Sequence, residues 1–146
     1  MLTLSNDLRD TMVATCIRAL PDEGCGLLLG HTDGSDADVT EIVASENMAH
    51  SAKVYEIDSR VLLRAFRRAD DEEIEVLGVF HSHTHSPAYP SPTDVGQAPD
   101  PAWHYVLVSL RDLPTVVKSY RIVDGAVTEE DVKARESFAT RGDNAQ

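Results

Sequence analysis

Glu75-Val76-Leu77-Gly78-Val79-Phe80-His81-Ser82-His83 runs directly into Thr84-His85-Ser86-Pro87-Ala88-Tyr89-Pro90-Ser91-Pro92-Thr93-Asp94. The apolar run at its start is short and bounded by polar residues, which reads as a strand over Glu75 to His83, buried for most of its length. Side chains two apart on a strand share a face, so His81 and His83 direct two imidazoles at one point. A catalytic zinc takes three protein ligands and keeps its fourth position for water, and Asp94 supplies a third ligand. Pro87, Pro90 and Pro92 restrict the intervening loop and reduce the entropy lost in bringing Asp94 back to the histidines. A plainer reading makes Ser91 the cap of a short helix, with Pro92 at its first position and Asp94 favoured by the helix dipole. The two readings are compatible, but the second leaves the in-phase histidines unexplained.

Toward the amino terminus, Leu4, Leu8, Met12 and Cys16 recur every four residues, with Val13, Ile17 and Leu20 widening the stripe. This predicts an amphipathic helix over Asp7 to Ala19, capped by Ser5 and stopped by Pro21. Gly26 to Gly30 reads as a buried strand, Asp33-Gly34-Ser35-Asp36 as a turn, and Val39 to Ala44 as a second strand. Asp58-Ser59 caps a second helix through Ala69, whose polar face carries Arg60, Arg64, Arg67 and Arg68 as a solvated surface. Beyond Asp94, Tyr105 to Leu110 and Val116 to Val123 read as strands. Asp124-Gly125 makes a hairpin into Ala126 to Glu129. Helix, strands, helix, strands predicts a single α+β domain built on a mixed sheet over residues 1–134, with 135–146 as a polar tail.

The chain has 146 residues, enough for one core without staples. Apolar residues at 42% and charged residues at 26% match soluble globular domains rather than disordered ones. Thirteen Lys plus Arg against 25 Asp plus Glu give a net charge of -12, which argues against nucleic acid as a partner. Gly26 to Gly30 and Val76 to Phe80, the longest apolar stretches, fall far short of the roughly 20 residues a membrane helix needs. The first residues lack the basic start and apolar core of a secretory signal, so a cytoplasmic location is expected. Cys16 and Cys25 form no disulfide framework or metal knuckle. Cys25, inside an apolar run, reads as a small buried residue rather than a nucleophile.

His81-Ser82-His83, seven residues, Ser91, two residues and Asp94, with Glu23 upstream before a Gly-Leu-Leu-Leu-Gly strand, resembles the JAMM motif of the MPN-domain metalloproteases. The resemblance extends from Leu8 to about Val132. It implies the mixed β-sheet flanked by helices of the MPN/JAMM, cytidine-deaminase-like fold, and one Zn2+ on His81, His83 and Asp94. It also implies Glu23 as base and acid and Ser91 as hydroxyl donor to the oxyanion. Without it, Glu23 in Pro21-Asp22-Glu23-Gly24 reads as an ordinary acidic residue at a helix end. His85 departs from the motif and reads as a loop residue, with an accessory metal contact as the alternative. His31, His50 and His104 receive no role in the metal site.

The lack of insertions around this core disfavours ubiquitin itself as substrate. Ala102 to Ser109 and Ser119 to Glu130 look like the corresponding parts of actinobacterial peptidases that release cysteine from a ubiquitin-like sulfur-carrier protein. That resemblance implies a small β-grasp carrier with an extended Gly-Gly tail ending in cysteine. Such a tail suits pairing along an exposed sheet edge. Asn47, Tyr55 and Ser109 are candidates for lining the groove, and a homodimer is left open. The competing readings are a non-catalytic MPN scaffold and a metal-binding module in which Glu23 and Ser91 are dispensable.

Overall fold

The computed structural model describes residues 1–135. Within them the order is β1 (Leu2–Ser5), α1 (Asn6–Ala19), β2 (Cys25–Asp33), β3 (Asp36–Ser45), α2 (Ser59–Glu72), β4 (Glu75–His83), α3 (Pro92–Gly96), β5 (His104–Ser109), β6 (Val116–Val123), β7 (Ala126–Glu130) and β8 (Val132–Arg135). The strands form one sheet in the order β7-β6-β5-β4-β2-β3-β1-β8. β4 runs parallel to β5 and antiparallel to β2, so it lies at the centre of the sheet and carries its C-terminal histidines there. The fold is a mixed sheet with helices packed on it, as expected of an α+β domain.

Each sheet face is covered by one long helix. Against α1, Leu28, Leu77, Phe80, Val106 and Val108 bury with Met12 and Cys16. Against α2, Leu27, Leu29, Val79, Tyr105 and Ile122 bury with Ala65. Alternation along β2 sorts Leu27 and Leu29 to one face and Leu28 to the other. Each such side chain contributes about 1.5–3 kcal/mol.

β4 breaks the simple alternation. Leu28 pairs with Gly78 and Leu29 with Val76, which leaves Leu77 as the extra residue of a β-bulge. Val76 and Val79 therefore share the α2 face although they stand three apart, while Leu77 and Phe80 share the α1 face. Gly78 has φ +155°, and a Cβ there would sit 1.9 Å from the His104 carbonyl oxygen. Only glycine lets β4 and β5 approach this closely.

Several sequence expectations are adjusted. β1 and β8 were not foreseen, and Leu4 belongs to β1 rather than to the helix stripe. Ile17 and Leu20 are exposed rather than part of the buried stripe, since the α1 contact is carried by Met12 and Cys16. Ser5 does cap α1 by accepting from the Leu8 N–H, and Asp58 caps α2 by accepting from the Arg60 N–H. Arg135 ends β8, and the remainder of the expected tail, 136–146, lies outside the described residues. On α2, Arg60 pairs with Asp58 and Arg68 with Glu41 and Glu72, while Arg64 and Arg67 face solvent. Among the described residues, no helix is long and apolar enough to cross a membrane.

Where β5, β6 and β7 meet, buried His104 places Nδ1 2.6 Å from Glu130 Oε2, which also accepts from the Ser119 hydroxyl at 2.7 Å. Burial alone would raise the Glu130 carboxyl, but the bonds from His104 and Ser119 outweigh it and bring it to about 2. Its stabilisation is present above the ordinary carboxylate value of 4.5 and is lost as pH falls toward 2. Glu130→Gln should therefore lower stability at pH 7 by about 2 kcal/mol, in the range of a charge-assisted hydrogen bond. It should also flatten the loss of stability between pH 4.5 and 2. Urea midpoints across that range check both, and an acid limb as steep as wild type would refute the assignment.

Candidate metal and catalytic site

Past the bulge, β4 continues into His81, Ser82 and His83, all buried. His81 and His83 face the α2 side, where the Tyr55 ring stacks on His81 at 4.1 Å between centroids. Ser82 faces the other side and ties down the segment that carries Glu23. The Gly24 N–H donates to Ser82 Oγ at 2.8 Å, and the Ser82 N–H donates to the Gly24 carbonyl at 3.0 Å. A Cβ on Gly24 would lie 2.6 Å from Cys16 Cα, so glycine lets this segment lie flat on α1. Glu23, only 2% exposed, brings Oε1 to 3.2 Å from His81 Nδ1.

Asn47 fixes the same segment from the other side. Its amide nitrogen donates to the carbonyls of Glu23, Ser51 and Val54 at 3.0, 3.3 and 3.0 Å. Its amide oxygen accepts from the Ala49 and Glu56 N–H groups, and the Glu23 N–H donates to the Ser51 carbonyl at 2.8 Å. Asn47 is thus a backbone clamp rather than a groove wall.

Asp94 arrives on α3. Ser91 caps this helix by accepting from the Asp94 N–H at 3.1 Å, while Asp94 Oδ2 accepts from the Ser91 N–H at 2.9 Å. This reciprocal capping box orients the carboxylate. Asp94 Oδ2 lies 3.0 Å from His83 Nε2 and 3.6 Å from His81 Nε2. Two ligand atoms on a tetrahedral zinc, each roughly 2.0–2.1 Å from it, stand about 3.3 Å apart.

Hydrogen-bond roles sharpen the fit. His83 Nδ1 lies 2.8 Å from the Pro87 carbonyl, which can only accept, so Nδ1 carries the hydrogen. In the neutral ring, Nε2 then presents a lone pair to the lone pairs of Asp94 Oδ2. A proton or a metal cation is needed between them. Burial acts to lower the His83 pKa, but the bond to Asp94, the Pro87 carbonyl and the charges of Asp94 and Glu23 overcome it and raise the value. Burial would raise Asp94, and the His83 bond with the neighbouring imidazoles brings it down instead. Glu23, His81 and His83 also offer ligand atoms within 4.8 Å of one another. The residues fit a small divalent cation, held by the two imidazoles and a carboxylate.

A cavity of about 440 Å³ opens at this cluster, lined by Glu23, Lys53, His83, Thr84, His85 and Ser91 among others. His85 places Nδ1 2.8 Å from the Thr84 hydroxyl, which itself donates to the Ala52 carbonyl. Ser109 donates to the Ser86 carbonyl and so supports the loop after β4. A second, largely apolar cavity of about 410 Å³ is lined by Tyr55, Leu62, Phe66, Val79 and Trp103. Its Tyr55 ring is the one that stacks on His81. Both cysteines are buried, and burial pushes their thiols up to about 12, which suits packing rather than nucleophilic chemistry.

The sequence pattern described as prokaryotic homologs of the JAB domain matches residues 5–123. The chain belongs to this family. Among JAB-family relatives it is 44% identical, over 94% of both chains, to the CysO-cysteine peptidase of Mycobacterium tuberculosis. It is 30% identical to the probable TtuB-protein conjugate cleaving protease of Thermus thermophilus, over 67% of this chain and 64% of that one. A solution structure of a Desulfitobacterium hafniense protein superposes with a TM-score of 0.87 at 36% identity, covering 94% of each chain. A JAB1/MPN domain protein from Archaeoglobus fulgidus shares the fold, with a TM-score of 0.58 at 19% identity and coverage of 93% and 98%.

The sheet edges bear on the expected pairing of an extended tail. β4 lies between β2 and β5, and among the described residues the sheet edges are β7 and β8. Among the described residues, however, β1 pairs with β3 only at Ala37 and Asp38, so the outer edge of β3 from Thr40 to Ser45 stays open beside β2, the neighbour of β4. Sequence reading also missed the Ser82 tie and the Asn47 clamp. The buried polar triplet His81-Ser82-His83 was a signal for the first, but Asn47 sits in a loop without periodicity. Asn47→Ala should cost about 2–3 kcal/mol in urea unfolding, because it orphans several backbone groups at once. A loss below 0.5 kcal/mol, the range of an ordinary surface substitution, would show that the clamp is not needed to hold the Glu23 segment.

Proposed function

We propose that this protein is a zinc-dependent peptidase that cleaves the amide at the C-terminal tail of a small ubiquitin-like sulfur-carrier protein, releasing cysteine or a similar adduct. The reading rests on one observation above all. Two imidazole Nε2 atoms converge on Asp94 Oδ2, and Glu23 abuts the same cluster from the side of His81 Nδ1. The substrate class comes from the activities for which relatives are named, which include a CysO-cysteine peptidase, a probable TtuB-protein conjugate cleaving protease and desampylases.

In this reading His81, His83 and Asp94 hold the ion, and the chemistry a bound zinc supplies is Lewis acidity, lowering the pKa of water and polarising a carbonyl. The remaining work falls to side chains. Glu23, buried and fixed through Gly24 and Asn47, takes a proton from the attacking water and returns it to the leaving amine. Ser91 accepts from the Asp94 N–H, so its own hydroxyl hydrogen remains free to donate to the oxyanion. Capping and catalysis are compatible in one hydroxyl. Tyr55 covers one face of His81 and borders the apolar cavity.

Glu23→Gln keeps size and hydrogen bonding but cannot accept the proton. Hydrolysis of a carrier adduct should fall by roughly 10²-fold or more while zinc content stays near wild type. His83→Ala and Asp94→Ala should lose zinc and hydrolysis together. Zinc quantification beside a single-turnover assay reads both. If Glu23→Gln released the metal, Glu23 would join the two histidines as a ligand and the base assignment would fall.

Ser91→Ala should lower turnover by roughly 10²-fold and cost about 1 kcal/mol of stability through the lost cap. A stability loss with unchanged turnover would leave Ser91 as a cap alone.

A further inference from the structure

Among the described residues, Lys53 is the one Lys or Arg that lines the site cavity. It is exposed and, among the described residues, has no carboxylate within ion-pair distance, whereas Lys118 on β6 pairs with Glu129 at 3.8 Å. An unpaired ammonium facing a cavity that holds Glu23, in a chain of net charge -12, calls for an anionic ligand.

The backbone that carries Lys53 is held on both sides. The Ser51 carbonyl accepts from the Glu23 N–H at 2.8 Å, and Ser51 Oγ accepts from the Lys53 N–H at 3.0 Å. The Ala52 carbonyl accepts from the Thr84 hydroxyl at 3.3 Å, and the Val54 carbonyl from Asn47 at 3.0 Å. Lys53 thus projects from a segment bonded to the backbone of Glu23 at one point and to the residue after His83 at another.

Position decides what it meets. Glu23 returns a proton to the leaving nitrogen, so the leaving group lies on the Glu23 side of the cavity. When the leaving group is an α-amino acid, its carboxylate carbon is two bonds from that nitrogen. When it is the ε-amine of a lysine in a conjugated protein, a methylene occupies the same place. We propose that Lys53 binds the α-carboxylate of the leaving amino acid and so selects carriers that end in one free amino acid over isopeptide conjugates. This deepens the proposed function and rests on it for the direction of the leaving group.

The test compares a ubiquitin-like carrier ending in Gly-Gly-Cys, prepared with a free carboxylate and with a carboxamide, on the zinc-loaded protein. Wild type should prefer the carboxylate by about 10–100-fold in kcat/KM, mostly through KM. Lys53→Met should bring that ratio near one, and Lys53→Arg should restore most of it. Both substrates are read on the same variant, so a folding or metal defect lowers both rates and leaves the ratio alone. Affinity of the two carriers for Glu23→Gln, with and without Lys53→Met, gives a reading independent of turnover. A carboxylate preference in binding that vanishes with Lys53→Met supports the assignment even if hydrolysis is absent, in which case the peptidase reading fails alone. Hydrolysis with a wild-type ratio near one, or a ratio untouched by Lys53→Met, overturns the assignment and leaves the peptidase reading standing.

Discussion

The site depends on the close passage of Gly78 past the His104 carbonyl. The bulge at Leu77 changes which residues of β4 face which helix, and glycine at 78 lets β5 remain paired alongside it. Beyond the bulge, Phe80 and Ser82 face α1 while Val79, His81 and His83 face α2. Ser82 can then reach the Glu23 segment lying on α1, and the two imidazoles open toward Tyr55 and α3. Shifting the strand by one residue would bury the imidazoles against α1 and turn Ser82 toward the cavity, because the side-chain period is two.

Around this strand the polar groups come at a cost that local bonding offsets. Glu23, His81, Ser82, His83 and Asp94 are all buried, and buried polar groups destabilise unless they are hydrogen-bonded. Most of the bonds are to backbone: Ser82 to Gly24, His83 to Pro87, Asp94 to Ser91. Backbone partners fix side-chain direction more tightly than solvent would. His83 Nε2 has no backbone partner and faces Asp94 Oδ2, and there the raised histidine and lowered carboxyl mark a place where positive charge is favoured. A cation bound by the folded state and not by the unfolded chain adds stability as well as chemistry.

Much of this was legible in the sequence, for reasons of periodicity. β4 was readable over Glu75 to His83 because a buried strand writes a continuous apolar run, and α3 was readable because Ser91-Pro92 carries cap chemistry. Glu23 was not readable from its own surroundings. Nothing in Pro21-Asp22-Glu23-Gly24 distinguishes it from a helix-end acid, and only its place in a family motif singled it out. β1 and β8 escaped because four-residue strands leave too short a pattern, and Leu4 falls in phase with Leu8 by coincidence of spacing. Asn47 escaped because its bonds run to five backbone groups, none of which a sequence pattern can name.

The division of labour between segments bears on how one fold serves relatives named for different substrates. β4, the Glu23 segment and α3 carry the proposed catalytic groups, with Ser82 and Gly24 joining the first two and the His83 and Asp94 side chains joining β4 to α3. The Ser51 to Val54 segment touches that assembly only through the carbonyls of Ser51, Ala52 and Val54. The Lys53 side chain takes part in none of these bonds and can vary without disturbing Glu23 or the histidines. In the proposed reading the residue at position 53 can change while the hydrolytic centre stays the same, because the bonds that hold the centre do not pass through its side chain.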